Sequence, residues 1–183
     1  MALDLRAADG VQACDLLGPR EAIRPFFAGA DAVVHMAFVP PPSGVSSATT
    51  GPGHDSDGGS SAEGANDQLF TAEHLNVQMA YNVFQTASEE GVGRVVMASS
   101  NHAADYYEEL ILDHQYDVVD PDAVARSDNY YGWAKIACEW YRSWFCFHRL
   151  EATGSTQWAL ATESHSLLAE SVFSERVAGA GVG

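Results

Sequence analysis

The chain is nearly without lysine. Among 183 residues Lys135 is the only one, and lysine and arginine together number nine against 25 aspartates and glutamates, a formal net charge of -16. That balance excludes nucleic acid and an anionic membrane surface as partners, because each would repel so acidic a protein. Three cysteines, Cys14, Cys138 and Cys146, are odd in number and match no metal or disulfide spacing. Cys14 and Cys138 have apolar neighbours and read as buried, reduced thiols. No apolar run is long enough to span a membrane, and the N-terminus lacks the pattern of a signal peptide, so a cytoplasmic location is expected. Strong acidity with scarce lysine resembles the solvated surface of proteins from a salt-rich cytoplasm.

What is present alternates. Ala2-Leu3-Asp4 and Val11-Gln12-Ala13-Cys14 read as short strands. A helix opens near Pro19, a residue suited to the first helical position, and runs to Phe27; Pro25 within it should kink or shorten it. Ala32 to Ala37 and Arg94 to Ala98 are continuous apolar runs of the kind found in buried parallel strands. Between them Leu75, Met79, Val83 and Ala87 recur at helical spacing, with Thr71 as the expected N-cap and Gly91 as the stop. A further helix is predicted from Tyr130 to His148, with Trp133, Ile136, Trp140 and Trp144 on its buried face. Residues 40–66, rich in Pro, Gly, Ser, Thr and Asp, read as a flexible inserted loop. Strand, helix, strand, helix implies a doubly wound parallel sheet with helices on both faces. In such sheets ligands bind outside the carboxyl ends of the strands, where His35, Ser99, Ser100 and Asn101 fall.

After Leu150 the pattern weakens. Gln157 to Ala161 reads as a strand and Ser166 to Val177 as a helix. The glycine-rich end, Gly179 to Gly183, is rejected as a phosphate loop because neither a strand nor a helix flanks it. Gly58-Gly59 is rejected for the lack of a preceding strand.

Lys135 stands four residues after Tyr131, so on a helix the two side chains share a face one turn apart. With Ala98-Ser99-Ser100-Asn101-His102 upstream, the pair suggests proton transfer. Oxidation of a hydroxyl needs a base for its proton as hydride leaves. A tyrosine serves only when its anion is favoured, and an adjacent ammonium favours it. Tyr130 is the competing base, but no lysine follows it at i+4.

Several segments together resemble one family, the extended short-chain dehydrogenase/reductases, or NAD-dependent epimerase/dehydratase group. Ala13-Cys14-Asp15-Leu16, Gly29 to Ala37, Asn76-Val77 with Tyr81-Asn82-Val83, Arg94 to Ser100, and Tyr131 to Lys135 match its motifs in order. Within it, Ser99-Ser100-Asn101-His102 looks most like uronate and related sugar or sugar-phosphate dehydrogenases.

The resemblance implies an incomplete Rossmann-like domain at residues 1–150 and a segment without family match at 151–183. The family's first strand, glycine loop and first helix are not in the sequence. It further implies NAD as cofactor, lined by Asp4, Asp15, Leu16, His35, Met36, Ala37, Asn76, Tyr131 and Lys135. Tyr131 would be the general base, Lys135 its electrostatic partner and ribose anchor, and Ser100 the residue orienting substrate. Asn101 and His102 would join Ser100 in contacting a small sugar, uronate or sugar phosphate. No metal is implied. A homodimer through helices 71–90 and 130–148 is expected. The alternatives are a nucleotide-sugar epimerase or dehydratase with tightly held NAD, and a non-catalytic fragment of such an enzyme.

Overall fold

Every strand pairing between named strands is parallel, and the strands fall into two groups. The computed structural model describes residues 1–43, 61–120, 123–153 and 159–161. β1 (Ala2–Asp4) pairs with β2 (Val11–Ala13), while β3 (Ala32–His35), β4 (Arg94–Ala98) and β5 (Ala159–Ala161) form a second sheet in that order. In the doubly wound order 3-2-1-4-5-6 these are the two flanks, with one strand position between them. The parallel sheet, expected to be incomplete, is thus present as two separate parts. The edges of β1 and β3 carry no ladder partner among the described residues.

One core nevertheless serves both. Ile23 and Phe27 from α1 (Arg20–Phe27) are buried against Val77, Ala80, Val83, Phe84 and Ala87 from α2 (Ser61–Glu89). Val95 and Met97 of β4 and Ala134, Cys138 and Phe145 of α4 (Tyr130–Thr153) complete it, and Leu3 and Val33 pack on it from the two sheets. The Phe84 and Phe145 rings stack at 5.7 Å, joining α2 to α4. Asn82 donates from Nδ2 to the Leu16 carbonyl at 2.8 Å, tying the loop after β2 to α2.

Local chemistry sets most ends. Gly29 and Gly91 take φ of 72°, the left-handed conformation that lets a chain leave a helix. Pro19 precedes α1 as its N-cap residue rather than opening the helix, and Pro25 lies in a helix of only eight residues. A proline there removes one i→i−4 bond, which a short helix packed by Ile23 and Phe27 tolerates.

Two expectations fail. Thr71 does not cap α2: the helix starts at Ser61, and Thr71 Oγ1 donates to the Asp67 carbonyl at 2.7 Å within it. Ala62, Glu63 and Ala65 are good helix formers, so residues 61–66 join the helix instead of the loop. The tryptophan stripe of α4 is the second. Trp133, Trp140 and Trp144 are 40, 69 and 52% exposed, and the buried face is Ala134, Cys138 and Phe145. Ala134, Cys138 and Phe145, rather than the indoles, join the core cluster that α4 shares with α2. α4 continues to Thr153, and β5, within the strand expected at Gln157 to Ala161, pairs with β4. The rest of the glycine- and serine-rich tract, the Ser166 to Val177 helix and the terminal glycines lie outside the described residues.

Candidate functional site

The carboxyl ends of β3 and β4 and the first turns of α4 bound a small cavity. His35, Met36, Ala37, Phe38, Glu73, Asn76, Met97, Ala98 and Lys135 are among its lining residues. β3 and β4 pair in register from Ala32 with Arg94 to His35 with Met97, so both strands deliver their ends to the same edge. Ser99 and Ser100 follow β4 at once and are buried. Asn101 to Ala104 form a single 3₁₀ turn whose first amide donor, His102 N–H, meets Ser100 Oγ at 3.3 Å.

Lys135 Nζ donates to the Ala98 carbonyl at 3.1 Å and lies 5.3 Å from the Tyr131 ring centroid. The lysine is therefore held by the end of β4 and by its own helix together. Tyr131 packs edge-on against Phe38 at 5.6 Å and against the His102 ring at 5.3 Å. Tyr130 turns elsewhere: its ring meets Phe70, which also contacts Trp133. The two tyrosines are thus separated by environment, and only Tyr131 shares the group with Lys135 and His102.

Gly132, between them and the lysine, is required by space. A Cβ there would run into the His102 carbonyl oxygen and the Ser127 hydroxyl. This close approach brings the 3₁₀ turn against the start of α4, and with it His102 against Tyr131.

Asn76 holds the other wall. Its Oδ1 accepts from Val39 N–H at 2.7 Å and its Nδ2 donates to the Val39 carbonyl at 3.0 Å, like a neighbouring strand. The segment after β3 is fixed by this bridge, with Met36 and Ala37 left exposed. His35 is 7% exposed; burial, and secondly the charge of Lys135, push its pKa down to about 4, so the ring is neutral.

The first two strands place their residues differently. Asp4 Oδ1 accepts from Arg6 N–H at 3.1 Å and Asp15 Oδ1 from Leu17 N–H at 2.9 Å, so both carboxylates cap local turns at strand ends. Leu16 is half-buried against the core. None of these three lines the cavity that Lys135 borders, and neither do Ser100, Asn101, His102 and Tyr131.

Four residues were not anticipated. Glu73, 1% exposed, lines the cavity and accepts from Asn76 Nδ2 at 3.1 Å. Burial raises its pKa above the usual carboxylate range, against the opposing influences of Asn76 and Lys135. Its place three residues before Asn76, on the apolar face of α2, was the available signal. Glu139 accepts from Ser99 Oγ at 2.5 Å. Asp105 and Asn129 hold His102 and Gly132, as described below. Among the described residues no three His, Cys, Asp or Glu side chains are grouped so as to hold a metal ion, and no helix is long and apolar enough to cross a membrane.

Such a site can hold and orient a hydroxyl. A tyrosine and a lysine share one face of α4, next to the serine, asparagine and histidine that follow β4, and these are groups able to hydrogen-bond a hydroxyl.

No protein-family model matches the chain. Over 125 residues it is 28% identical to uronate dehydrogenase of Pseudomonas syringae pv. tomato, and over 122 residues 30% identical to uronate dehydrogenase of Agrobacterium fabrum. These alignments cover 68 and 67% of this chain and 34% of each relative, so the chain spans about a third of their length. Among solved structures, a mutated uronate dehydrogenase superposes with a TM-score of 0.55 at 24% identity, over 86% of this chain and 45% of that one. UDP-N-acetylglucosamine 4-epimerase from Bacillus cereus gives 0.54 at 18%, over 87 and 42%. Uronate dehydrogenase from Agrobacterium tumefaciens, solved as a mutant complexed with NAD, gives 0.53 at 23%, over 84 and 47%. The fold is Rossmann-like, and in sequence the chain resembles uronate dehydrogenases.

Proposed function

We propose that the chain carries the active-site half of an NAD-dependent dehydrogenase that oxidises a uronate or a related sugar. The observation behind this reading is the grouping of Tyr131, Lys135 and His102 beside the carboxyl ends of β3 and β4. Tyr131 takes the proton of the reacting hydroxyl, Lys135 stands one turn away as its positively charged partner, and Ser100 orients the oxygen. Asn101 and His102, exposed on the turn, contact the sugar.

The residues present fit the nicotinamide and ribose half of a dinucleotide. Lys135 lies at the cavity, the Asn76 bridge fixes the wall after β3, and Met36 and Ala37 leave exposed surface against which a flat ring can lie. His35 borders the cavity as a neutral ring. NAD, when bound, accepts the hydride. Asp4, Asp15 and Leu16 are assigned to its adenosine side.

Titration of NAD into the purified chain, at low and at molar salt, with a screen of uronates, aldoses and sugar phosphates for NADH, tests the reading. Saturable binding with net NADH from one sugar class is expected. A folded chain that binds no NAD would sink it. The likeness to a 4-epimerase supports a second reading, in which NAD stays bound and no net NADH forms. NAD binding without turnover of any sugar would leave a non-catalytic fragment.

We also propose a homodimer through α2 and α4. Phe70, Tyr81, Trp133, Trp140 and Trp144 are all more than a third exposed and all belong to these two packed helices. So many exposed rings on one helix pair mark an interaction surface. Sedimentation velocity should show a dimer that Trp140→Glu converts to monomer; a wild-type monomer throughout the micromolar range would refute it. The buried thiols of Cys14 and Cys138 are compatible with a reducing cytoplasm as its location.

A further inference from the structure

A chain of hydrogen bonds runs from the first turn of α4 to the His102 ring, and its direction can be read from one end. The Gly132 N–H can only donate, and it meets Asn129 Oδ1 at 2.9 Å. That fixes the amide of Asn129, so its Nδ2 is the donor to Asp105 Oδ2 at 2.7 Å. The same Asp105 oxygen lies 2.6 Å from His102 Nδ1. An ionised carboxylate has only lone pairs to offer and can accept twice at one oxygen, so Nδ1 must carry the hydrogen. In a neutral imidazole the other nitrogen is then an acceptor.

We infer that Asp105 is a positioning residue that sets His102 as the Nδ1–H tautomer, making Nε2 a hydrogen-bond acceptor for a hydroxyl of the bound sugar. The geometry suits this. Asp105 is largely buried, with 15% of its side chain exposed, whereas His102 is half exposed with its ring 5.3 Å from that of Tyr131. The ring that would hold the hydroxyl is thus a direct neighbour of the Tyr131 ring. The selectivity follows chemically: the site takes a polyol that can donate there and disfavours an analogue lacking that hydroxyl. The sugar contact rests on the dehydrogenase reading; the tautomer does not.

The test is nitrogen NMR of the free chain with labelled histidine, above the pH range in which imidazole titrates. A hydrogen bond to a charged acceptor should favour the Nδ1–H tautomer of His102 by about tenfold to a hundredfold. Asp105→Ala should bring the two tautomers within about threefold of each other, as water replaces the carboxylate. Asp105→Glu should restore the preference, and Asn129→Ala should leave it, since the carboxylate remains. In turnover, Asp105→Ala should raise the KM for the sugar about tenfold with NAD affinity unchanged. A wild-type His102 in the Nε2–H form overturns the proposal even if the alanine variant does not fold, and so does an Asp105→Ala chain with unchanged tautomers. Absence of turnover in the wild type counts against the dehydrogenase reading alone.

Discussion

Tyr131→Phe should lower NADH formation by about 10²–10⁴-fold, the usual worth of a positioned general base, with NAD affinity nearly unchanged. The variant removes one oxygen and keeps the ring, so the contacts to Phe38 and His102 and the ammonium 5.3 Å from the ring centroid persist. What goes is the hydroxyl proposed to take the proton of the reacting sugar hydroxyl. Steady-state kinetics with calorimetric NAD titration separates the two effects. Tyr130→Phe is the control, since Tyr130 lies against Phe70 rather than near Lys135. Its activity should stay within about threefold of wild type, because it removes no group that meets the substrate. If the losses are reversed between the two variants, the base is Tyr130 and the lysine argument falls. If Tyr131→Phe stays within tenfold, the reaction does not use this phenol.

The second large effect is on stability in acid. His35 has a pKa of about 4 in the folded chain against 6.5 when free, because its buried ring cannot easily be charged beside Lys135. The folded state therefore binds fewer protons than the unfolded one between these values. Its contribution to stability is complete above pH 6.5 and is lost as pH falls toward 4, in all about 3 kcal/mol. Glu73 works in the opposite sense. Its raised folded pKa means that protonation on acidification relieves a buried charge, so it offsets part of the loss. Denaturant melts across this range should show wild-type stability falling toward acid, a shallower fall for His35→Asn, and a steeper one for Glu73→Gln. Equal slopes for wild type and His35→Asn would show that the histidine is not held neutral by the fold.

Much of this was legible beforehand because it depends on neighbours in sequence. Strands β3 and β4 were visible as short apolar runs, Gly29 and Gly91 as helix stops, and Tyr131 with Lys135 as a pair one turn apart. A single lysine in an acidic chain marks itself. Even the contact of Asn76 with the site was implied by a motif.

The remainder depended on what packs against what. Helical spacing shows that Trp133, Trp140 and Trp144 lie on one side of α4, but not whether that side meets α2 or solvent. Packing decided it: Ala134, Cys138 and Phe145 join the core cluster that α4 shares with α2, and the indoles stay outside. Glu73 looked like any polar residue of a helix until Asn76 and the cavity gave it a buried setting. Asp105 and Asn129 are 24 residues apart, and their bond exists only because Gly132 lets the 3₁₀ turn reach α4. The split of the strands into a pair and a trio likewise follows from which edges find partners. Local conformational preference and short-range periodicity determined the elements and the reacting pair. Burial and polar partnership across distant segments decided which charges are hidden, which rings are exposed and how His102 is oriented.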